Sequence, residues 1–429
     1  MTHRRAFLKQ LASLAGVVGF ERLLAADRAL TTEVNDLALS NADDASSASL
    51  RDRYLLSPAV TYFNHGSIGT IPRAVHQAHI AYLETCETNP WLYMWGGAWE
   101  EPREQVRKKA ADLLGCQPLE IAFTHNTTEG FNTLANGLPL GSGDEVLFSS
   151  LNHPGASVCW NHHAAVRHFS VKRFDFPILD VPELDAQTIL DTYDRHITPK
   201  TRVLVIPHVD NIVGLRYPVR ELSALARSKG VEIVAVDGAQ SVGMLDLNLR
   251  DLGADIYCAS PHKWLQAPKG LGLMYVRRDL QESLRPLWVT WGQERWKGTA
   301  RVFEDYGTRN LPGLLTLGDA IDFQQQLGAA AKQARYRSLW ERFRAQADAS
   351  RHVIWRSPTS WSRSAALFAL EIRNADSQKV FDYMYGEHGF VFRPFRTQAL
   401  NTVRISPNVY NTEAEIARFF ELTAALPRG

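Results

Sequence analysis

Between about residue 120 and residue 277 the chain alternates short apolar runs with amphipathic stretches. The runs IAFTHN, EVLFSS, RVLVIPHV, EIVAVDG, IYCASPH and GLMYVR are each short enough for a strand and several are rich in β-branched residues. The stretches around them, such as REQVRKKAADLLG and VRELSALARSKG, place apolar residues at helical spacing, and Lys229-Gly230 supplies a glycine stop. This alternation predicts an α/β fold with a largely parallel sheet and helices on both faces. After Pro312 the pattern lengthens into long helices through LLTLGDAIDFQQQLGAAAKQARYRSLWERFRAQADAS. Strand candidates AALFALEI and VRISP and a closing helix from Glu413 to Leu426 then predict a smaller α+β carboxy-terminal domain. The expected division is a large domain over 51–311 and a smaller one over 312–429, with no internal repeat.

The first fifty residues read differently. Arg4-Arg5, followed by Phe7-Leu8-Lys9 and a weakly apolar run from Leu11 to Phe20, predicts a twin-arginine signal over 1–26, recognised by the twin-arginine export machinery. A polar linker over 27–50 follows, Ala/Ser/Asp-rich from Thr31 to Ser49 and without a packing face. An amphipathic first helix with two surface arginines is the alternative. The processing site near Ala25-Ala26 has leucine three positions back, which leaves the cleavage point open. The expected location is the periplasm.

Composition adds exclusions. A chain of 429 residues with 45% hydrophobic content can bury a large core. Its net charge is +1 with dispersed basic residues, which argues against a nucleic-acid partner. No later apolar run is long enough to span a bilayer. The four cysteines, Cys86, Cys116, Cys159 and Cys258, show no CxxC or metal spacing, and an oxidising compartment leaves a disulfide open.

The candidate chemistry centres on YCASPHKWLQAPKGLGLMYV, Tyr257 to Val276, which sets Lys263 just past one apolar strand and ahead of another. Desolvation there disfavours the ammonium form, as a lysine needs if it is to form an imine at neutral pH. Asp237 ends the buried strand VEIVAVDG, at the edge where open α/β sheets bind ligands. A lysine imine and a carboxylate for a pyridinium nitrogen are the pair that pyridoxal phosphate (PLP) requires. Singly, the two would be read as a loop lysine and a helix cap; together at corresponding strand ends they point to the cofactor.

Asp237-Gly238-Ala239-Gln240 and Ser260-Pro261-His262-Lys263 resemble the class V, cysteine desulfurase-like branch of the fold-type I PLP-dependent transferases. The resemblance runs along most of the chain after about residue 55, through NHGSIG at Asn64, NTTEGFN at Asn126, HVDNIVG at His208, FEDYGTRN at Phe303 and RISPNVYNT at Arg404. NHGSIG, GTR and NPW at Asn89 look most like the isopenicillin N epimerase subgroup. The resemblance implies that Lys263 carries the cofactor, that Thr127, Thr128, Ser260 and His262 bind its phosphate, and that Asp237 meets its ring nitrogen. By the same resemblance His153 stacks on the ring, Asn211 and Gln240 meet the phenolic oxygen, and Arg404 clamps the substrate carboxylate. For Arg404 an interdomain salt bridge is the alternative. Desulfurases of this family use a cysteine in the carboxy-terminal third; none follows Cys258, which argues against that activity.

Trp91, Tyr93, Trp95, Trp99, Trp288, Trp291 and Trp296 are expected in core or interface. If several face the cleft they suit a large flat substrate, with Arg309, Arg393 and Arg396 for further anionic groups. A homodimer is expected, the neighbouring chain completing each site from Thr290 to Gly292 or from Thr308. The expected function is that of a PLP-dependent enzyme acting on an amino acid group of a larger substrate. Exported relatives of this fold imply the glutamate side group of a pyoverdine-type siderophore peptide, converted to succinamide. An epimerase, lyase or aminotransferase on another amino acid or peptide, and a non-catalytic PLP-binding protein, are the alternatives.

Overall fold

The computed structural model describes residues 50–397 and 399–426. The twin-arginine pair and residues 1–49 lie outside the described residues.

The apolar runs form one seven-stranded sheet. After the short β1 (Thr61–Tyr62), its strands are β2 (Ile121–Thr124), β3 (Glu145–Ser149), β4 (Ser170–Phe174), β5 (Thr201–Pro207), β6 (Ile233–Asp237), β7 (Ile256–Ala259) and β8 (Gly272–Val276). Their order is β2-β8-β7-β6-β5-β3-β4; β3 to β7 pair in parallel, and β8 runs against both β7 and β2. Alternate residues enter opposite cores: Leu147, Leu204, Ile206 and Val236 on one face, and Val146, Phe148, Val203 and Val205 on the other. Burial on both faces explains the unbroken apolar runs. Each such Val, Leu or Ile contributes about 1.5–3 kcal/mol on burial. β4, with the sequence SVKRF, sits at the edge and is mostly solvated, so it carries no apolar run.

A second, antiparallel sheet has the order β12-β13-β10-β9, built from β9 (Val353–Trp355), β10 (Phe368–Ile372), β12 (Arg393–Arg396) and β13 (Asn401–Ile405). Between them in sequence, β11 (Phe390–Val391) pairs in parallel with β1, so the first described segment joins the carboxy-terminal unit. Phe63, Phe343, Phe368 and Phe419 fill the core there.

Two long helices follow Asn310 and tie the two units together. The helix Leu311–Leu327 packs on Arg73–Thr88 and Glu100–Leu114, and its Leu314, Leu317 and Ile321 belong to the large-sheet core. The next helix, Ala329–Ala349, spans both units: Tyr336 lies in the large core, whereas Leu339, Trp340 and Phe343 lie in the smaller one. A helix apolar on more than one side serves two cores, and its sequence pattern does not mark where one ends.

Buried charge pins the FEDYGTRN segment to β2. Arg107 donates to both Glu304 carboxylate oxygens at 2.8 and 2.7 Å and to Ile121 O at 2.7 Å, and Phe123 N–H donates to Glu304 at 2.9 Å. Burial pushes the Glu304 carboxyl up, but Arg107 and Arg309 outweigh it and hold it at about 2.

Candidate active site

The loops leaving β2, β3, β5, β6 and β7 converge at the carboxyl edge of the large sheet, and Arg404 on β13 reaches the same place from the smaller sheet. They enclose a cavity of about 340 Å³. Its wall contains all ten residues singled out from the sequence: Thr127, Thr128, His153, Asn211, Asp237, Gln240, Ser260, His262, Lys263 and Arg404.

Lys263 keeps part of its surface open to the cavity, but the protein crowds it. Burial pulls its ammonium down from 10.5 to about 8; Asp237 opposes that shift and Arg404 adds to it. About a tenth is therefore free amine at pH 7, far more than an ordinary lysine would show. The loop carrying it is roofed by Asn64–Gly69: Gly69 N–H donates to His262 O at 2.8 Å, and a Cβ on Gly69 would lie 1.8 Å from Lys263 O. Only glycine fits that approach. Asp237, 5% exposed, accepts the Ala239 N–H through Oδ1 at 2.9 Å, and its Oδ2 accepts no hydrogen bond from the described residues.

An oxyanion cradle lies at the start of the helix Thr127–Gly137. Asn126 caps it, accepting Glu129 N–H at 2.9 Å. Ser260 Oγ sits 2.8 Å from Thr127 Oγ1 and accepts Thr127 N–H at 3.2 Å. Thr128 is exposed beside them, and a Cβ on Gly155 would come within 2.5 Å of its Oγ1. His262 Nδ1 is buried with no hydrogen-bond partner among the described residues. Burial and then Lys263 push this imidazole down to about 4, so it is neutral at pH 7. Hydroxyls at a helix start are what a phosphate needs.

Arg404 is 2% exposed and donates to Asn211 O at 2.9 Å, Asn64 Oδ1 at 3.0 Å and Ser67 Oγ at 2.6 Å. All three are neutral acceptors, and Arg404 Nε is buried with no partner among the described residues. The interdomain salt bridge is thus not formed. Burial and Arg393 act against the charge, while Asp210 and Tyr62 favour it. Asp210 accepts the N–H groups of Ile212, Val213 and Leu215 at 2.8, 2.8 and 2.5 Å, folding the turn that carries Asn211. Gly214, at φ 70, has Leu367 O where a Cβ would stand, 1.8 Å away.

Two expected ligand residues also serve the protein. Gln240 donates through Nε2 to Gly66 O at 2.7 Å and accepts from buried Trp264 Nε1 at 2.8 Å, leaving one Nε2 hydrogen. His153 caps the helix Pro154–Arg167, its Nδ1 accepting Gly155 N–H at 3.0 Å. Burial lowers its pKa and Asp237 opposes that; the cap itself requires an unprotonated Nδ1.

Sequence reasoning gave no role to Asn64, Ser67, Asp210 or Trp264. The first two stand in NHGSIG and Asp210 in HVDNIVG, so the motifs marked the positions but not the contacts.

These residues fit pyridoxal phosphate. The orphan His262 Nδ1 and the hydroxyl cluster at a helix start suit its phosphate, and the open Oδ2 of Asp237 suits a ring N–H. The glycine at 155 leaves room that a Cβ would fill, and Lys263 gives up its proton more readily than an ordinary lysine.

The tryptophans lie elsewhere. Trp95, Trp99, Trp291 and Trp296, with Thr308 and Arg309, line a separate groove of about 120 Å³. Trp91, Trp95 and Trp291 are 70, 54 and 67% exposed, whereas Tyr93 and Trp99 are buried. Arg309 pairs with Glu304 at 3.5 Å and Arg396 with Asp376 at 2.9 Å; Arg393 lines the Lys263 cavity instead. All four cysteines are buried free thiols outside that cavity wall.

Comparison with known proteins matches residues 61–419 to the family described as aminotransferase class-V. Isopenicillin N epimerase of Streptomyces clavuligerus is 30% identical over 396 residues, which cover 88% of this chain and 97% of that protein. A cysteine desulfurase of Klebsiella pneumoniae (strain 342) is 29% identical over 438 residues, covering 95% and 97%. Among solved structures, cysteine desulfurase from Thermococcus onnurineus superposes with a TM-score of 0.78 at 24% identity over 88% of this chain and 98% of that one. The cystine C-S lyase C-DES, complexed with cysteine persulfide, gives 0.77 at 24% over 84% and 97%. At that identity the structures show a shared fold.

Proposed function

Since this chain belongs to the aminotransferase class-V family of pyridoxal phosphate enzymes, we propose that it holds the α-carboxylate of an amino-acid group at Arg404 and moves a proton at its Cα through Lys263 Nζ. One observation carries the reading: a lysine pulled down to about 8 and a buried arginine with only neutral partners face one cavity. Thr127, Thr128, Ser260 and His262 would hold the cofactor phosphate, Asp237 its ring nitrogen, Asn211 and Gln240 its phenolic oxygen, and His153 its ring face. When bound, the cofactor supplies an electron sink for the bonds at the substrate Cα. Arg404 would hold the carboxylate by its charge and its remaining N–H donors, and so decide which of those bonds is aligned to break. Lys263, close to neutral pH in its proton affinity, is suited to take and return the Cα proton.

The substrate in this reading is the glutamate side group of a pyoverdine-type siderophore, converted to succinamide. Resemblance to PvdN, the pyoverdine-tailoring enzyme, supports it, as does the twin-arginine pair, which directs the chain to the periplasm. A cavity wall without cysteine weighs against desulfuration. The conversion balances with dioxygen: the α-carboxyl leaves as carbon dioxide, the amino-bearing carbon becomes the amide, and the remaining oxygen leaves as water. The functional unit is a homodimer, a second copy covering the exposed Trp91, Trp95 and Trp291. Purified holoenzyme given the glutamate-form siderophore should consume dioxygen and yield the succinamide by mass spectrometry. Epimerisation, the second reading, is favoured by the Streptomyces relative and consumes no dioxygen. A deletion strain whose secreted siderophore keeps its side-group profile would discard the pyoverdine assignment.

A further inference from the structure

We infer that Arg393 is a specificity-determining residue, recognising a second anionic group on the substrate beyond the carboxylate at Arg404. The inference rests on the reading of Arg404 above. Arg393 and Arg404 are Cα partners across β12 and β13, and both line the Lys263 cavity. They flank one ring: the Arg404 guanidinium carbon is 5.2 Å and that of Arg393 is 5.6 Å from the Phe395 centroid. Two guanidinium groups beside one ring are near enough for a single molecule with two anionic groups to meet both.

Like charges directly opposite on neighbouring strands destabilise a sheet. Nearby arginines escape such a cost by pairing: Arg396, three residues on, holds Asp376 at 2.9 Å, and Arg356 at the far edge holds Glu371 at 2.7 Å. Arg393 has no carboxylate within ion-pair distance among the described residues, and its side chain is exposed at the cavity. Its charge also acts against that of Arg404. An anionic ligand would relieve both. The ligand class is an amino-acid group accompanied by a second carboxylate or comparable anion, on the same group or on the larger molecule that bears it.

The test uses purified holoenzyme and reads the change in its visible cofactor absorption as L-glutamate or its neutral isostere L-glutamine is added. Wild type should bind L-glutamate about five- to tenfold more tightly, the range expected of an exposed charge contact with good geometry. Arg393→Gln should keep the cofactor band and lower L-glutamate affinity about five- to tenfold more than L-glutamine affinity; Arg393→Lys should restore part of the preference. Absence of a preference in wild type, or its persistence in Arg393→Gln, overturns the inference. If Arg404→Ala binds both amino acids as wild type does, the reading of Arg404 falls instead.

Discussion

Replacing Arg404 with alanine tests the substrate clamp. The side chain is held by Asn211 O, Asn64 Oδ1 and Ser67 Oγ, and of the residues assigned to the cofactor it hydrogen-bonds only the backbone oxygen of Asn211. Cofactor binding should therefore survive. A hydrogen bond to a charged group contributes about 1.5–3 kcal/mol, which corresponds to about a 10- to 150-fold loss of affinity for the amino-acid carboxylate. Failure of orientation would lower turnover further if Arg404 selects the bond that breaks, as proposed. Arg404→Lys keeps the charge without the fork and should fall between the two. The assay is a titration of the visible cofactor band with amino acid, alongside a thermal melt to confirm folding. A folded Arg404→Ala variant with unchanged affinity would refute the clamp. Loss of the cofactor band in a folded variant would refute the separation of cofactor and carboxylate sites.

Borohydride reduction of the holoenzyme should abolish its visible band and leave the label on a peptide containing Lys263; label on Lys269 or Lys297 would sink that assignment. Cofactor uptake by the apoprotein should accelerate as pH rises toward about 8 and then level off, because free amine accumulates as the ammonium is lost. Asp237 raises the Lys263 pKa, so Asp237→Asn should move that midpoint to lower pH, and an upward move would contradict the assignment. Arg107→Met leaves Glu304 buried without its main partner and should cost about 3–5 kcal/mol in denaturant unfolding. The Glu304 contribution is fully present above the ordinary carboxyl pKa of 4.5 and is lost as pH falls toward about 2, so the deficit of the variant should shrink in that window. Changing Arg4 and Arg5 to lysine should leave active holoenzyme in the cytoplasm, and unchanged periplasmic recovery would rule out twin-arginine dependence.

The strands that shape the cavity were legible because each is buried on both faces, so Val203 to Ile206 or Ile233 to Val236 could not be written with polar residues. β4 and β12 were not legible. Their sequences, SVKRF and RPFR, face solvent or the cavity, and a strand without an apolar run has no periodic signal to read. The cores that the two long helices join could not be read for the opposite reason: Leu311–Leu327 and Ala329–Ala349 are apolar enough to bury in either core, and packing alone decides.

Legibility in the site follows which atoms do the work. Lys263, Asp237 and Arg404 carry functional groups that announce the chemistry proposed for them, and their spacing around strand ends could be read. Asn64, Ser67 and Asp210 act by holding something else: a guanidinium from a strand some 340 residues later, or three N–H groups of a turn. Nothing in their identity distinguishes them from ordinary loop residues. The arrangement has a mechanical consequence, because the residues proposed to hold the cofactor stand at the large sheet while Arg404 and Arg393 stand on the smaller one. Asn64 and Ser67 belong to the segment leaving β1, which pairs with β11 and then bridges at Asn64 to Ser406 beside Arg404. The same segment roofs Lys263 through Gly69. One loop thus sets the distance between the guanidinium proposed to grip the carboxylate and the amine proposed to work at Cα, and Gly69, whose Cβ would meet Lys263 O, is a residue whose replacement should change it.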